Sequence, residues 1–378
     1  MMKHPSRVAK LIAGIVMCLG GFATTGAFAA EGSIPAPFRE NAKQKTVELE
    51  FPYWSYILKA TVFDAGRSDR RGHDLSFKWD NSRARWGNKS KTAMEGNRLY
   101  FQAFDDQNLE ALVKVRERME KLPTKYAFDT LTRDQQLAYW LNLYNVTLVE
   151  HLVKTYPTKR LQDTLYGDGS LLDQKLLNVA GVPLSLNDIH HRILIPKWRD
   201  PLVMYGLFHG YVSSPNLRRE AYTAENVYDL LADNAKEFVN SIRGVVADGS
   251  ELHVAELYEI NAALFPNWDH DLRAHLNQYL NPGYAALAGQ TTELYADTQD
   301  YYIADLSLGI TMDRTMGVNL GEDIAGYERT VARGGRGFPG HVIAYASKVQ
   351  KKKSRQKATV SVEEVDDSTE KTKKSKDK

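Results

Sequence analysis

Four side chains between positions 188 and 214 are of types that carry chemistry: Asp188, His191, His209 and Ser214. A hydroxyl becomes a nucleophile when an imidazole base lies within about 2.6–3.2 Å of it. Asp188 and His191 stand three residues apart, so on a helix they share a face. An aspartate so placed can fix an imidazole tautomer. The same pair also reads as a helix cap followed by a core-packed histidine. His190 and His191 are neighbours and point about 100° apart on a helix, which makes one shared metal ion awkward. Ser214 lies in Ser213-Ser214-Pro215, a common turn sequence. Upstream, Asn142 and Asn145 share a helix face with Ala138, Leu141 and Val149. They are candidates to hold a substrate carbonyl or a catalytic histidine. The alternative is a structural clamp on a neighbouring loop, since a buried amide left unpaired costs ~1–3 kcal/mol.

These residues sit in three ordered blocks. Tyr139–Asn145 reads Y-W-L-N-L-Y-N, Leu184–Leu194 reads L-S-L-N-D-I-H-H-R-I-L, and Asp200–Leu217 reads D-P-L-V-M-Y-G-L-F-H-G-Y-V-S-S-P-N-L. A looser A-Y-T-A-E-N follows at Ala221–Asn226. The blocks resemble the bacterial family called domain of unknown function 547, and the likeness spans roughly Phe51 to Phe265. The resemblance places His191 where the family has its histidine and His190 where many members have an acid. It implies two cysteines in the third block, one after an Asn and one before a Pro. Here Phe208 stands at the Asn position, His209 at the first Cys position and Ser214 at the second.

Three readings follow from that replacement. The thiol chemistry is lost and a binding pocket remains. Or the thiol site has become a histidine site, with His191, His209 and Asp188 as ligands of a kind that suits zinc. Or Ser214 acts as a serine nucleophile beside a histidine. No metal or cofactor is assigned, and the expected partner is a small molecule or a cell-envelope protein.

Several elements must position these blocks. Apolar spacing from Asn108 to Leu122 predicts an amphipathic helix ending before Pro123. Thr132 to Gln135 fits a capping box. The helix it opens is apolar on nearly all sides, so it should be central, and it stops near Pro157. Leu176–Leu184 reads as a hairpin turning at Ala180-Gly181. Ser185 to Asp188 resembles a second cap, opening a short helix that ends before Pro196. Leu202–Phe208 is expected as a buried strand and Thr46–Phe51 as another. Glu225–Ile242 is an expected helix, and Asp248-Gly249 turns a second hairpin. Asp269 caps a helix running to Leu280, which Pro282-Gly283 stops. Together these give a mainly helical α+β fold: a single globular domain with small hairpins, a C-terminal extension and a disordered tail.

The first thirty residues read as a secretory signal. Lys3, Arg7 and Lys10 precede an apolar run from Leu11 to Ala23, and Ala27-Phe28-Ala29 is an A-x-A cleavage site. The run is shorter than the ~20 residues that span a bilayer. Cleavage would remove Cys18, the only cysteine, leaving no disulfide and no thiolate. The expected location is therefore periplasmic. Boundaries are expected at 1–29 (signal), 30–50 (lead), 51–282 (domain), 283–347 (extension) and 348–378 (tail).

Residues 348–378 hold eleven Lys and Arg against six Asp and Glu, while the body of the chain is acidic. That balance argues against nucleic acid as a partner. It allows weak contact of the tail with an anionic membrane or cell-wall surface. From Lys351 onward the tail has no aromatic residue and no apolar period, so disorder is expected. Two weaker signals complete the reading. Asp269-His270-Asp271 is read as a helix start, with acids near the positive end of the dipole. The glycine-rich run Gly334–Gly340 lacks the strand context of a phosphate loop.

Overall fold

The computed structural model describes residues 34–72, 77–78, 85–86, 90–158, 160–307, 342 and 344–356. The signal segment, the Gly334–Gly340 run and residues 357–378 lie outside the described residues.

Pro52 opens helix α1 (Pro52–Thr61), where its fixed φ and missing N–H suit the first turn. Strand β1 (Val62–Phe63) follows, then the short antiparallel pair β2 (Phe77–Lys78) and β3 (Arg85–Trp86). Strand β4 (Arg98–Leu99) pairs antiparallel with β1. Asp105 caps α2 (Asp106–Glu120) by accepting from the Asn108 N–H. Helix α3 (Arg133–Thr155) is the centre of the molecule. Its capping box forms in both directions between Thr132 and Gln135, as the T-x-x-Q pattern requires. From Gln135 to Glu150 every residue is buried. The one acid in that run, Glu150, is met by Arg116 at 2.8 Å and Lys154 at 2.5 Å.

Helix α4 (Gln162–Tyr166) leads to the hairpin β5 (Leu177–Val179) and β6 (Val182–Leu184). Ala180 and Gly181 both have positive φ, +50° and +80°, the two-residue turn that matches strand twist. The second motif block follows as a π-helical run, Asp188–Leu194, continued by α5 (Ile195–Trp198). Here the helix was expected to end before Pro196, and it does not. The Ile195 N–H bonds the carbonyl five residues back, at His190. That wider turn lets a residue without an N–H enter the helix.

The expected strand Leu202–Phe208 is instead a 3-10 helix, Pro201–Gly206. Asp200 caps the Leu202 N–H at 2.9 Å and Pro201 pre-sets the first turn. Thr46–Phe51 is not a strand either. Leu49 and Phe51 alternate into the core, but among the described residues no strand pairs with the segment. The Val47 carbonyl bonds the Gln135 side chain at 2.6 Å.

Helix α6 (Val227–Val239) packs against that 3-10 turn and α3. The hairpin β7 (Val245–Asp248) and β8 (Glu251–Ala255) runs into α7 (Glu256–Ile260). Helix α8 (Trp268–Tyr279) follows. Pro282 then opens α9 (Pro282–Ala288), so the proline that stops one helix starts the next. Strand β9 (Glu293–Thr298) lies parallel to β8. Isolated bridges then tie Ile303 to Tyr211 and Asp305 to Leu99. The described part of the extension is thus built into the sheet and the third motif block.

Residues 344–356 form a last helix, α10. Tyr345 and Val349 are buried with Phe63 and Tyr100. Lys352 is buried, and Lys353 pairs with Asp64 at 3.0 Å. Disorder was expected from residue 348, yet residues 348–356 are helical because this face of α10 is buried against β1 and Tyr100. The whole is mainly helical with sheets of two or three strands, an α+β fold. Among the described residues no helix is long and apolar enough to cross a membrane.

Candidate functional site

The two asparagines of the first block act on backbone. Asn142 donates to the Tyr222 carbonyl at 2.8 Å and accepts from the Tyr222 N–H at 3.0 Å. Asn145 donates to the Gly206 carbonyl at 2.9 Å and accepts from the Phe208 N–H at 3.0 Å. Both are buried, so each amide staples a loop to α3 as the clamp alternative described. Asn145→Ala would leave two buried backbone groups unpaired and is expected to cost about 2–4 kcal/mol in urea unfolding. A loss below about 1 kcal/mol would mean the loop is held by its apolar contacts instead.

The second block is organised by Asp188. One of its oxygens accepts from the Ser185 N–H at 2.8 Å and from Lys175, and the other from Arg192 at 2.8 Å. Ser185 Oγ in turn accepts from the Asp188 N–H at 3.0 Å. Burial alone would raise this carboxyl. Lys175, Ser185 and Arg192 outweigh it and hold the group far below the usual range. None of these bonds goes to His191, so among the described residues Asp188 works as a cap and ion-pair centre. His191 instead lies flat against His190, ring centroids 4.1 Å apart. His190 is buried, and its Nε2 meets Asn261 Oδ1 at 2.7 Å. Asn261 Nδ2 donates to the Leu257 carbonyl, which leaves its Oδ1 as acceptor and assigns the proton to His190 Nε2.

The third block brings in His209. Its ring centroid is 6.3 Å from that of His190, 6.3 Å from Tyr144 and 5.8 Å from Tyr211. The residue is 1% exposed, and neither ring nitrogen has a hydrogen-bond partner among the described residues. Burial, then the neighbouring His191, pushes this imidazole down to about 4. His190 and His191 are lowered too, chiefly by burial. The cluster is therefore a set of neutral imidazoles. The residue after His209 has to be glycine. Gly210 has φ +83°, and a Cβ there would lie 2.4 Å from a Leu152 methyl. That close approach presses the block onto α3.

Ser214 does not join the cluster. It is buried in a turn, and its hydroxyl donates to the Pro215 carbonyl at 3.2 Å, with no bond to a histidine among the described residues. Its neighbour Ser213 exchanges bonds with the Asp300 backbone. The structure thus brings His191 and His209 together through His190. Asp188, Ser214 and the asparagines serve the surrounding frame. Among the described residues, no three or more His, Cys, Asp and Glu side chains are grouped to hold a metal ion.

Sequence reasoning passed over the other members of the cluster. Tyr211 Oη lies 3.2 Å from Tyr166 Oη, and the Tyr211 and Tyr301 rings are 5.0 Å apart. The Tyr301 hydroxyl donates to Glu256, whose carboxyl is pushed up by burial against that bond. Tyr301 comes from the extension, and Glu256 and Asn261 from α7 and its C-terminus. The tyrosine-rich composition of residues 283–347 was the one available signal. The result is a buried polar line, imidazoles at one end and a tyrosine–glutamate pair at the other, with an unpartnered ring between. No curated protein and no solved structure matches the chain. Residues 128–239, which hold the asparagine clamp, the stacked histidines and His209, match the model of the family described as protein of unknown function, DUF547.

Proposed function

We propose that this chain is an exported, non-catalytic protein that binds a small neutral molecule at His209. The observation that carries the reading is the buried imidazole with both nitrogens unpartnered. Such a group costs roughly 1–3 kcal/mol per orphaned atom, a cost that a ligand carrying one acceptor and one donor would offset. Two further features support binding over turnover. The Ser214 hydroxyl is bonded to a carbonyl, and among the described residues no serine or threonine hydroxyl is bonded to His190, His191 or His209. A neutral imidazole offers one donor and one acceptor, which suits an uncharged ligand with both. The location in the envelope rests on Lys3, Arg7, Lys10 and the Leu11–Ala23 run ahead of Ala27-Phe28-Ala29. An envelope partner, and contact of the lysine-rich end with anionic surfaces, belong to the same proposal.

His209→Phe separates these ideas. Removing the unpartnered nitrogens at nearly constant shape is expected to raise stability by about 1 kcal/mol, or roughly 2–4 °C in Tm. The same change is expected to abolish ligand-induced shifts of the imidazole nitrogen signals when 15N-histidine protein is titrated with phenol, uracil and N-methylacetamide. A fall in stability would mean that His209 has a structural partner and the proposal fails. Hydrolysis of p-nitrophenyl esters that disappears in both His191→Ala and Ser214→Ala would replace binding with catalysis.

A further inference from the structure

We propose that the groove between α1 and α2 is the docking site of this chain's own segment Ala358–Asp367. Tyr53, Tyr56, Ile57, Ala60, Ala111 and Val115 line a cavity of about 320 Å³ between the two helices. Tyr53 is 63% exposed and Tyr56 58%, two of the four large apolar side chains exposed among the described residues. Clustering of that kind marks a surface made to be covered. The rim is basic. Arg118 sits 5.1 Å over the Tyr53 ring and pairs with no carboxylate among the described residues. Among the described residues Lys114 pairs with Glu110, an exposed pair of the weak i,i+4 kind.

The occupant must therefore be small, aliphatic and acidic. Ala358–Asp367 reads A-T-V-S-V-E-E-V-D-D, with Val360, Val362 and Val365 among four acids and no base. Beyond Ala358 those valines are the apolar residues of positions 357–378. The last turn of α10 packs on the chain that leaves α1. Lys353 pairs with Asp64, and Gln356 Nε2 donates to the Arg67 carbonyl at 3.1 Å. Thr61, three residues before Asp64, lines the groove itself. Four residues from Gln356 to Val360 span up to ~14 Å, so the segment is tethered to the same part of the chain. In an extended segment Val360 and Val362 would face one side. Glu363, Glu364, Asp366 and Asp367 would then meet Lys114 and Arg118.

The chain contains one cysteine, Cys18, so single thiols can be placed without interference in the full chain carrying Cys18→Ser. Ala111 is an exposed groove residue, and Ala111→Cys tolerates a thiol there. Effective concentrations in the millimolar range mean that an intrinsic affinity of about 0.1 mM fills the groove ~90% of the time. Alkylation of Ala111→Cys by iodoacetamide is then expected to be about tenfold slower in the full chain than after truncation at Gln356. Val360→Asp with Val365→Asp should restore the fast rate. Ala111→Cys combined with Val362→Cys should oxidise to an intrachain disulfide. Equal alkylation rates with and without the segment would overturn the proposal. A disulfide that forms between chains would assign the groove to a second copy. Protection that survives both aspartates would point to an occupant other than this segment.

Discussion

Arg243→Leu is expected to cost the fold about 3–5 kcal/mol, the range for stranding a buried charge by deleting its partner. Arg243 has no exposed surface. Its guanidinium donates twice to Glu237, at 2.9 and 2.5 Å, and lies 3.7 Å from Glu95. It also reaches the Ser214 carbonyl at 3.3 Å and Asn216 Oδ1 at 3.2 Å, so it closes the end of the third motif block. Without the cation, Glu95 and Glu237 are left with Lys352 as the buried compensating charge. Burial already pushes the Glu95 carboxyl up. The check is the urea midpoint of the single variant against Arg243→Leu with Glu237→Leu. The double variant should recover part of the loss, because the orphaned carboxylate is its cause. A single-variant loss below about 1 kcal/mol would show that water reaches the cluster and screens it.

The elements that could be read from the sequence are those whose residues specify their own boundaries. Thr132 and Gln135 satisfy each other's backbone, so α3 begins where the pattern places it. Ala180-Gly181 and Asp248-Gly249 mark turns by local chemistry. Other patterns report burial without reporting hydrogen bonding. Val47, Leu49 and Phe51 alternate as a strand would, and Leu49 and Phe51 are buried, yet the Val47 carbonyl is taken by Gln135. Leu202–Phe208 is buried in the same sense, but Asp200, Pro201 and Gly206 favour a tight helical turn. The π register at Asp188–Leu194 has no residue signature of its own. Lys352 was counted as solvated, while its ammonium lies buried where Glu95 and Glu237 offset burial. Such compensation comes from residues more than a hundred positions away and leaves no local trace.

The site divides along the same line. His191 and His209 stand out because the motif blocks select them. Their surroundings do not, because Tyr301, Glu256 and Asn261 arrive from distant elements. Asp188 illustrates the limit of spacing as evidence. Three residues before His191, its position allows it either to orient that ring or to cap the helix. Lys175 and Arg192, both charged and both within reach, decide for the cap. The asparagines are decided in the same way, by the backbone groups of Tyr222, Gly206 and Phe208.

Acidification from about pH 7.5 to about pH 5 is expected to remove about 4 kcal/mol of stability through His209 and His275 alone. Burial pushes both imidazoles from 6.5 down to about 4. Between those values the unfolded chain binds a proton at each site and the native chain does not. Their contribution is therefore full above 6.5 and is lost as pH falls toward 4. At about pH 5 the loss is about 2 kcal/mol for each group. His190 and His191, lowered by burial as well, add in the same direction. His253 opposes them: held up by Asp297 and Glu251 against its burial, it stabilises below 6.5 and loses that contribution as pH rises through its folded value. Glu95 and Glu256, raised by burial, also act in the opposing direction. Asp188, held down by its partners, loses its contribution only below about pH 4, outside this window. Urea midpoints at the two pH values measure the sum, and His209→Phe should flatten it by about 2 kcal/mol. A stability that does not change between the two pH values would mean that the native chain accepts protons at these rings. An unchanged dependence in His209→Phe would place the acid sensitivity in the other histidines and deprive His209 of its neutral, water-excluded character.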